Sequence, residues 1–193
     1  MRVTTTAKSA VPSIALILAV TGPAAALTDE APVRTAAIPR HTADVRIDES
    51  APVITRVSVL IHAPLHTIRK VQTDVANWSS WQPDVDVVVK DTPGRLRPGS
   101  VFRWSTEGLD ITSTVKQVDH GKRLVWGGPA QGITAVHVWT FTATRNGVLV
   151  HTEESWTGDP VLADQAALQA ALDNSLHSWV DNLEHEAETR AAG

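Results

Sequence analysis

The sequence predicts an α+β domain in which a bent antiparallel sheet covers one long C-terminal helix. Two observations carry this prediction. Between residues 85 and 156, short runs rich in β-branched and aromatic residues follow one another at regular spacing, separated by Gly-containing turns, which is the pattern of a meander. Beyond Gly158-Asp159-Pro160 the period changes to that of a helix, and Leu168, Leu172, Leu176, Trp179, Val180, Leu183 and Ala187 form an apolar stripe. The stripe needs a partner, and the one-sided meander is available to cover it.

The elements follow in order. Residues 53–61 read as a strand that stops at Ala63-Pro64. Pro64 suits the first turn of a helix, and Leu65, Ile68, Val71, Val75 and Trp78 recur at spacings of three and four on one face of it. Ser79 to Pro83 break that helix. Strands are expected at residues 85–91, 100–107, 110–119, 122–126, 133–145 and 148–156. The closing helix, some 25 residues at ~1.5 Å each, reaches roughly 38 Å and can lie across an entire sheet.

Composition narrows the class. The 193 residues hold 11 Gly, 11 Pro and no Cys, with a formal charge of −4, which suits one domain with tails. The balance gives no basic footprint for nucleic acid, and the missing cysteines exclude disulfides, thiolate metal sites and a thiol nucleophile. Seven of the nine aromatic residues are Trp, and Tyr is absent. Arg2 and Lys8, an apolar stretch over 10–20 and the small run Ala24-Ala25-Ala26 form the three-part pattern of a secretory signal peptide cleaved after Ala26, so export is the expected localisation. The apolar run is about half the ~20 residues a spanning helix needs, and no membrane span is expected in the mature form. Removing that segment deletes two of 17 basic residues and none of the 21 acids, leaving −6. Residues 27–50 have neither helical nor strand period and read as a flexible linker, so the domain is expected over 51–190.

Turn chemistry sets the register. An Asn146-Gly147 loop places Phe141 opposite Thr152, Trp139 opposite Glu154 and His137 opposite Trp156. A Gly108-Leu109 loop sets Trp104 against Ser113 and Phe102 against Val115, and His120-Gly121 sets Gln117 against Leu124 and Val115 against Trp126. One face then holds Phe102, Trp104, Ile111, Val115, Leu124, Trp126, Trp139, Phe141 and Trp156, interleaved with Thr106, Ser113, His137, Thr152 and Glu154. The other holds Arg103, Ser105, Asp110, Thr112, Thr114, Lys116 and Arg123 and belongs in water. Large rings alternating with small polar residues leave gaps, and a cavity between sheet and helix is expected.

The run Asp74-Val75-Ala76-Asn77-Trp78-Ser79-Ser80-Trp81-Gln82-Pro83, followed by Gly99 to Trp104, Leu124 to Gly128, His137 to Phe141, Glu153 to Gly158 and a closing helix, resembles the START-like (SRPBCC) superfamily in its polyketide cyclase/dehydrase branch. The resemblance spans residues 53–188. It implies a helix-grip fold with a deep apolar pocket between sheet and C-terminal helix. Cyclases, hydrophobic-ligand carriers, hormone receptors and chaperone activators share that fold.

His137 and Glu154 share the inner face diagonally, ~7 to 8 Å apart at Cβ. They read either as the acid/base pair that cyclisation or dehydration needs or as hydrogen-bonded filler. Trp81, Trp104, Trp126, Trp139, Trp156 and Trp179 read either as pocket walls for a flat aromatic ligand or as packed core; Phe102, Thr106, Ser113, Phe141 and Thr152 complete the expected lining. His62 with His66, and His177 with His185, lack acidic partners, so no metal or other cofactor is expected. Gly127-Gly128-Pro129 reads as a turn. The expected function is binding of an apolar, aromatic or polycyclic small molecule in a Trp-lined cavity, leaning toward its cyclisation or dehydration; the alternative is a non-catalytic carrier or sensor of a hydrophobic molecule or lipid.

Overall fold

A computed structural model describes residues 43–193. The expected signal peptide, and the expected linker up to residue 42, lie outside the described residues. The chain runs β1 (Val53–Ile61), α1 (Leu65–Thr73), a 3-10 turn (Val75–Ser80), β2 (Val85–Lys90), β3 (Val101–Thr106), β4 (Leu109–Asp119), β5 (Arg123–Ala130), β6 (Ile133–Ala143), β7 (Val148–Thr157), a short α2 (Asp159–Ala163) and α3 (Gln165–Ala192). The strands form one open antiparallel sheet in the order β1-β7-β6-β5-β4-β3-β2. Asp164 starts α3, its side chain accepting from the Ala167 N–H. Among the described residues no helix is long and apolar enough to cross a membrane.

The sheet grips α3 by curling. Thr55 Oγ1 on edge strand β1 donates to Asp173 Oδ1 at 2.5 Å. Trp179, under two turns further along α3, meets Trp104 on β3 with ring centroids 6.0 Å apart. β1 and β3 are five strand spacings apart, ~24 Å on a flat sheet. A single helix touches both only if the sheet bends around it, and this is the helix-grip fold.

Face parity follows the expectation while register differs. The β3–β4 loop is Glu107-Gly108, both at positive φ, so Trp104 pairs with Ile111 and Phe102 with Ser113. A Gly108-Leu109 loop would set Glu107 against Asp110; the observed turn, with Ser105 opposite Asp110, avoids that like-charge pair. At β6–β7 the loop takes four residues, so Ala143 pairs with Val148, Trp139 with Thr152 and His137 with Glu154. Both corrections move the pairing by two residues, and a shift of two keeps every side chain on its face. In β4 a bulge between Val115 and Gln117 keeps Val115 opposite Trp126 but sends Gln117 to the outer face, where its Oε1 accepts from the Val45 N–H at 2.8 Å.

Three further expectations are corrected. The helix after Pro64 ends at Thr73, and Val75 and Trp78 belong to the 3-10 turn, where a spacing of three eclipses two side chains. Gly127-Gly128-Pro129 lies inside β5, and the turn follows at Gln131-Gly132. A Cβ on Gly127 would stand 2.1 Å from the Ala135 carbonyl oxygen, so glycine there answers a close strand approach rather than a turn. The outer face is not wholly in water either. Val45 and Ile47 lie on Val125 and Val138, Ile47 being 5% exposed, and Arg123 Nη2 donates to the Val45 carbonyl at 2.5 Å. Residues counted as linker therefore form a strap across β5 and β6.

Candidate ligand-binding site

The inner face of the sheet gathers most of the aromatic residues in one layer. Trp78 stands at its centre, with ring centroids 5.4 Å from Phe102, 5.9 Å from Trp104, 5.5 Å from Trp126 and 4.9 Å from Trp179. Trp81 packs edge-on against Trp179 at 5.6 Å, and Trp139 stacks with Trp126 at 6.2 Å. Ring therefore meets ring where the sequence places a hollow. The reason is Trp78, read from its spacing as part of a helix stripe: carried by the 3-10 turn, its indole enters the space between sheet and α3 and donates to the Gln72 carbonyl at 3.1 Å.

Phe141 and Ser113 join this layer from β6 and β4; Ser113 Oγ accepts from Trp104 Nε1 at 3.0 Å. Two expected lining residues stand apart. Thr106 ends β3 opposite Leu109, and Trp156 packs with a second cluster around Val53, Val161, Leu172 and Leu176.

The structure brings His137 and Glu154 closer than the diagonal expectation, because the four-residue loop pairs them directly. His137 Nδ1 lies 3.0 Å from Glu154 Oε2, with side chains 6% and 12% exposed. His137 Nε2 lies 2.8 Å from Thr152 Oγ1, which is also 3.2 Å from the Val138 carbonyl oxygen. Glu154 Oε1 accepts from Trp156 Nε1 at 2.7 Å. Burial pushes the Glu154 carboxyl upward, but the imidazole beside it and the bonds from His137 and Trp156 outweigh that push and hold it below the usual carboxylate range. The arrangement is a carboxylate–imidazole–hydroxyl chain whose polar atoms all have partners. It can pass a proton along its length, and it can equally lock β6 to β7.

Several polar atoms inside this region have no partner. Gln72 is fully buried and neither of its amide atoms makes a hydrogen bond; the Trp139 Nε1–H and Arg69 Nη1 are alike. Arg69 and Gln72 line the buried side of α1, with the Arg69 guanidinium 4.9 Å above the Phe141 ring. Neither residue stands out in the sequence until α1 is drawn as a wheel, where they follow Leu65 at four and seven positions on the inward side. Beside them a groove of about 970 Å³ opens between α1, the β2–β3 loop and the β4–β5 hairpin, walled by Leu65, Leu96 and Val118. A smaller hollow of about 450 Å³ lies at the sheet edge by Val87, Val89 and Arg103.

An open antiparallel sheet curled around a C-terminal helix, with an aromatic inner layer and a groove beside α1, defines the helix-grip class of proteins. The family model described as polyketide cyclase / dehydrase and lipid transport matches residues 52–188, and the chain belongs to that family. Among solved structures it is similar to the Zhui aromatase/cyclase from Streptomyces sp. R1128, at 17% identity and TM-score 0.64 over 72% of this chain and 97% of that one. It is also similar to a START superfamily protein from Mycobacterium smegmatis, at 12% identity and TM-score 0.59 over 70% and 97%. A third is the di-domain aromatase/cyclase StfQ of the steffimycin pathway, at 19% identity and TM-score 0.60 over 73% of this chain and 52% of that one. No curated protein matches the sequence.

Proposed function

We propose that the protein binds an apolar, aromatic or polycyclic small molecule beneath α1, between that helix and the inner face of the sheet. The observation that carries this reading is the set of unpartnered polar atoms on Gln72 and Trp139, buried beside the aromatic layer. Ligand sites are mostly apolar with a few polar groups that fix orientation, whereas a finished core leaves almost none unbonded. The groove lies beside the same helix, lined by Arg69 one turn before Gln72. Membership in a family described by cyclisation, dehydration and lipid transport supports the same reading. Titration of the purified domain with 9-anthracenemethanol, followed by Trp fluorescence, tests it: Gln72→Leu should weaken saturable quenching at least several-fold, and quenching that never saturates would refute the proposal.

A catalytic reading is favoured by one observation, the Glu154–His137–Thr152 chain. In it His137 takes a proton from carbon next to a substrate carbonyl and returns one to the departing oxygen, while Glu154 orients the ring. Both ring nitrogens are already engaged, so carriage of the ligand is the better supported reading. With a polyketide chain as substrate, His137→Ala and His137→Gln should both abolish dehydration yet leave binding within a few-fold if the pair is catalytic; unchanged turnover in either variant removes that role.

A further inference from the structure

The groove beside α1 is basic. Arg69, Lys70, Lys90, Arg95, His66 and His120 line it, against one carboxylate, Asp74, which already accepts from Asn77 Nδ2 at 2.6 Å. Arg69 differs from the other arginines with described contacts. Arg56, Arg103 and Arg190 are ion-paired on the surface, and Arg123 bonds the Val45 carbonyl. Arg69 is 9% exposed, its Nη1 is buried without a hydrogen-bond partner, and no carboxylate comes within ion-pair distance among the described residues. Asp119 acts on it only at longer range, its own oxygen taken by Gln117 Nε2 at 2.7 Å. The face of Phe141 holds the guanidinium in place from one side. A guanidinium stays charged at neutral pH, and a buried one without a counter-charge is a costly arrangement.

We infer that this groove takes amphiphiles carrying a carboxylate or similar oxyanion, with Arg69 as the deep anchor for the head group. The planar fork of Arg69 suits a two-oxygen anion, and Leu65, Leu96 and Val118 offer apolar wall for the body of the ligand. Lys70 and Arg95, which make no ion pair among the described residues, raise the local anion concentration at the rim. The inference rests on the proposed function and adds the chemical class of the ligand to it.

Matched probes separate the two. 9-Anthracenecarboxylate and its neutral carboxamide have nearly one shape and differ in charge. The wild-type protein should bind the acid about ten-fold more tightly or better, the scale of one charged hydrogen bond. Arg69→Met, which keeps apolar contact with Phe141, should bring acid and amide within two-fold by weakening the acid far more than the amide, and Arg69→Lys should restore part of the preference. Equal binding of acid and amide by the wild type, or an undiminished preference in Arg69→Met, overturns the inference and leaves the proposed function standing. Failure of both probes to bind removes the proposed function and the inference together. Inorganic phosphate should displace the acid only at far higher concentration than the acid itself needs; equal potency would mark a site for bare anions and overturn the amphiphile.

Discussion

Glu154 shows how one side chain couples fold to pH. Its carboxyl sits below the ordinary value in the folded protein because the imidazole and two hydrogen-bond donors outweigh burial. A depressed folded pKa contributes stability that is present above the unfolded value, about 4.5, and is lost as pH falls from there through the folded value. Urea denaturation between pH 7 and 3 should therefore show stability declining below about pH 4.5, with a shallower decline in Glu154→Gln. His137→Ala should cost ~3 to 5 kcal/mol at pH 7, because it strands a buried carboxylate. Gly127 is a second position where one atom decides. Gly127→Ala would drive its Cβ into the Ala135 carbonyl oxygen, and thermal unfolding should report a loss of ~1 to 3 kcal/mol. The identity of the pair was legible in the sequence because alternation places His137 and Glu154 on one face. Their direct contact was not, since it depends on whether a loop holds two residues or four, and Asn146-Gly147 fits both.

At the scale of elements, the strands were legible because their period of two survives errors in loop length. β1 was expected over its full observed range, and every other strand overlaps its expected run. The 3-10 turn was not legible. Val75 and Trp78 continue the spacing of α1, and only the backbone at Asp74, with φ −85° and ψ 64°, separates a new segment from the old helix. That break matters to the site because it turns the Trp78 indole toward Phe102, Trp126 and Trp179. Trp78→Ala should cost ~3 to 5 kcal/mol and shift near-ultraviolet dichroism strongly, because one substitution removes the ring at the centre of the layer. Arg69 and Gln72 are not legible for a related reason: periodicity finds apolar residues, and a polar residue at the rim of an apolar stripe looks like the start of the solvent side.

Over the whole molecule, the curl of the sheet explains why an alternating sequence makes an interior rather than a flat surface, and why β1 and β3 both reach α3. The strap formed by residues 44–48 shows the opposite side of the same economy. Val125 and Val138 are fully buried on the outer face, and Val45 and Ile47 cover them. A chain beginning at residue 51 should be less stable than one beginning at residue 43 by ~1.5 to 3 kcal/mol, the scale of burying one large apolar side chain, as measured by the urea midpoint. The family was readable from the order of elements and their Trp-rich motifs. The groove was not, since it is assembled from α1, the β2–β3 loop and the β4–β5 hairpin, segments far apart in the chain and without a shared motif. Ligand binding as proposed requires that a flat apolar molecule be accommodated between α1 and the inner sheet face. Hydrogen exchange of the domain with and without saturating 9-anthracenemethanol measures this directly. Added protection should concentrate in α1 and the inner-face strands β5 and β6, with the outer strap unchanged; protection that is absent, or confined to the hollow near Val87 and Val89, would overturn this placement.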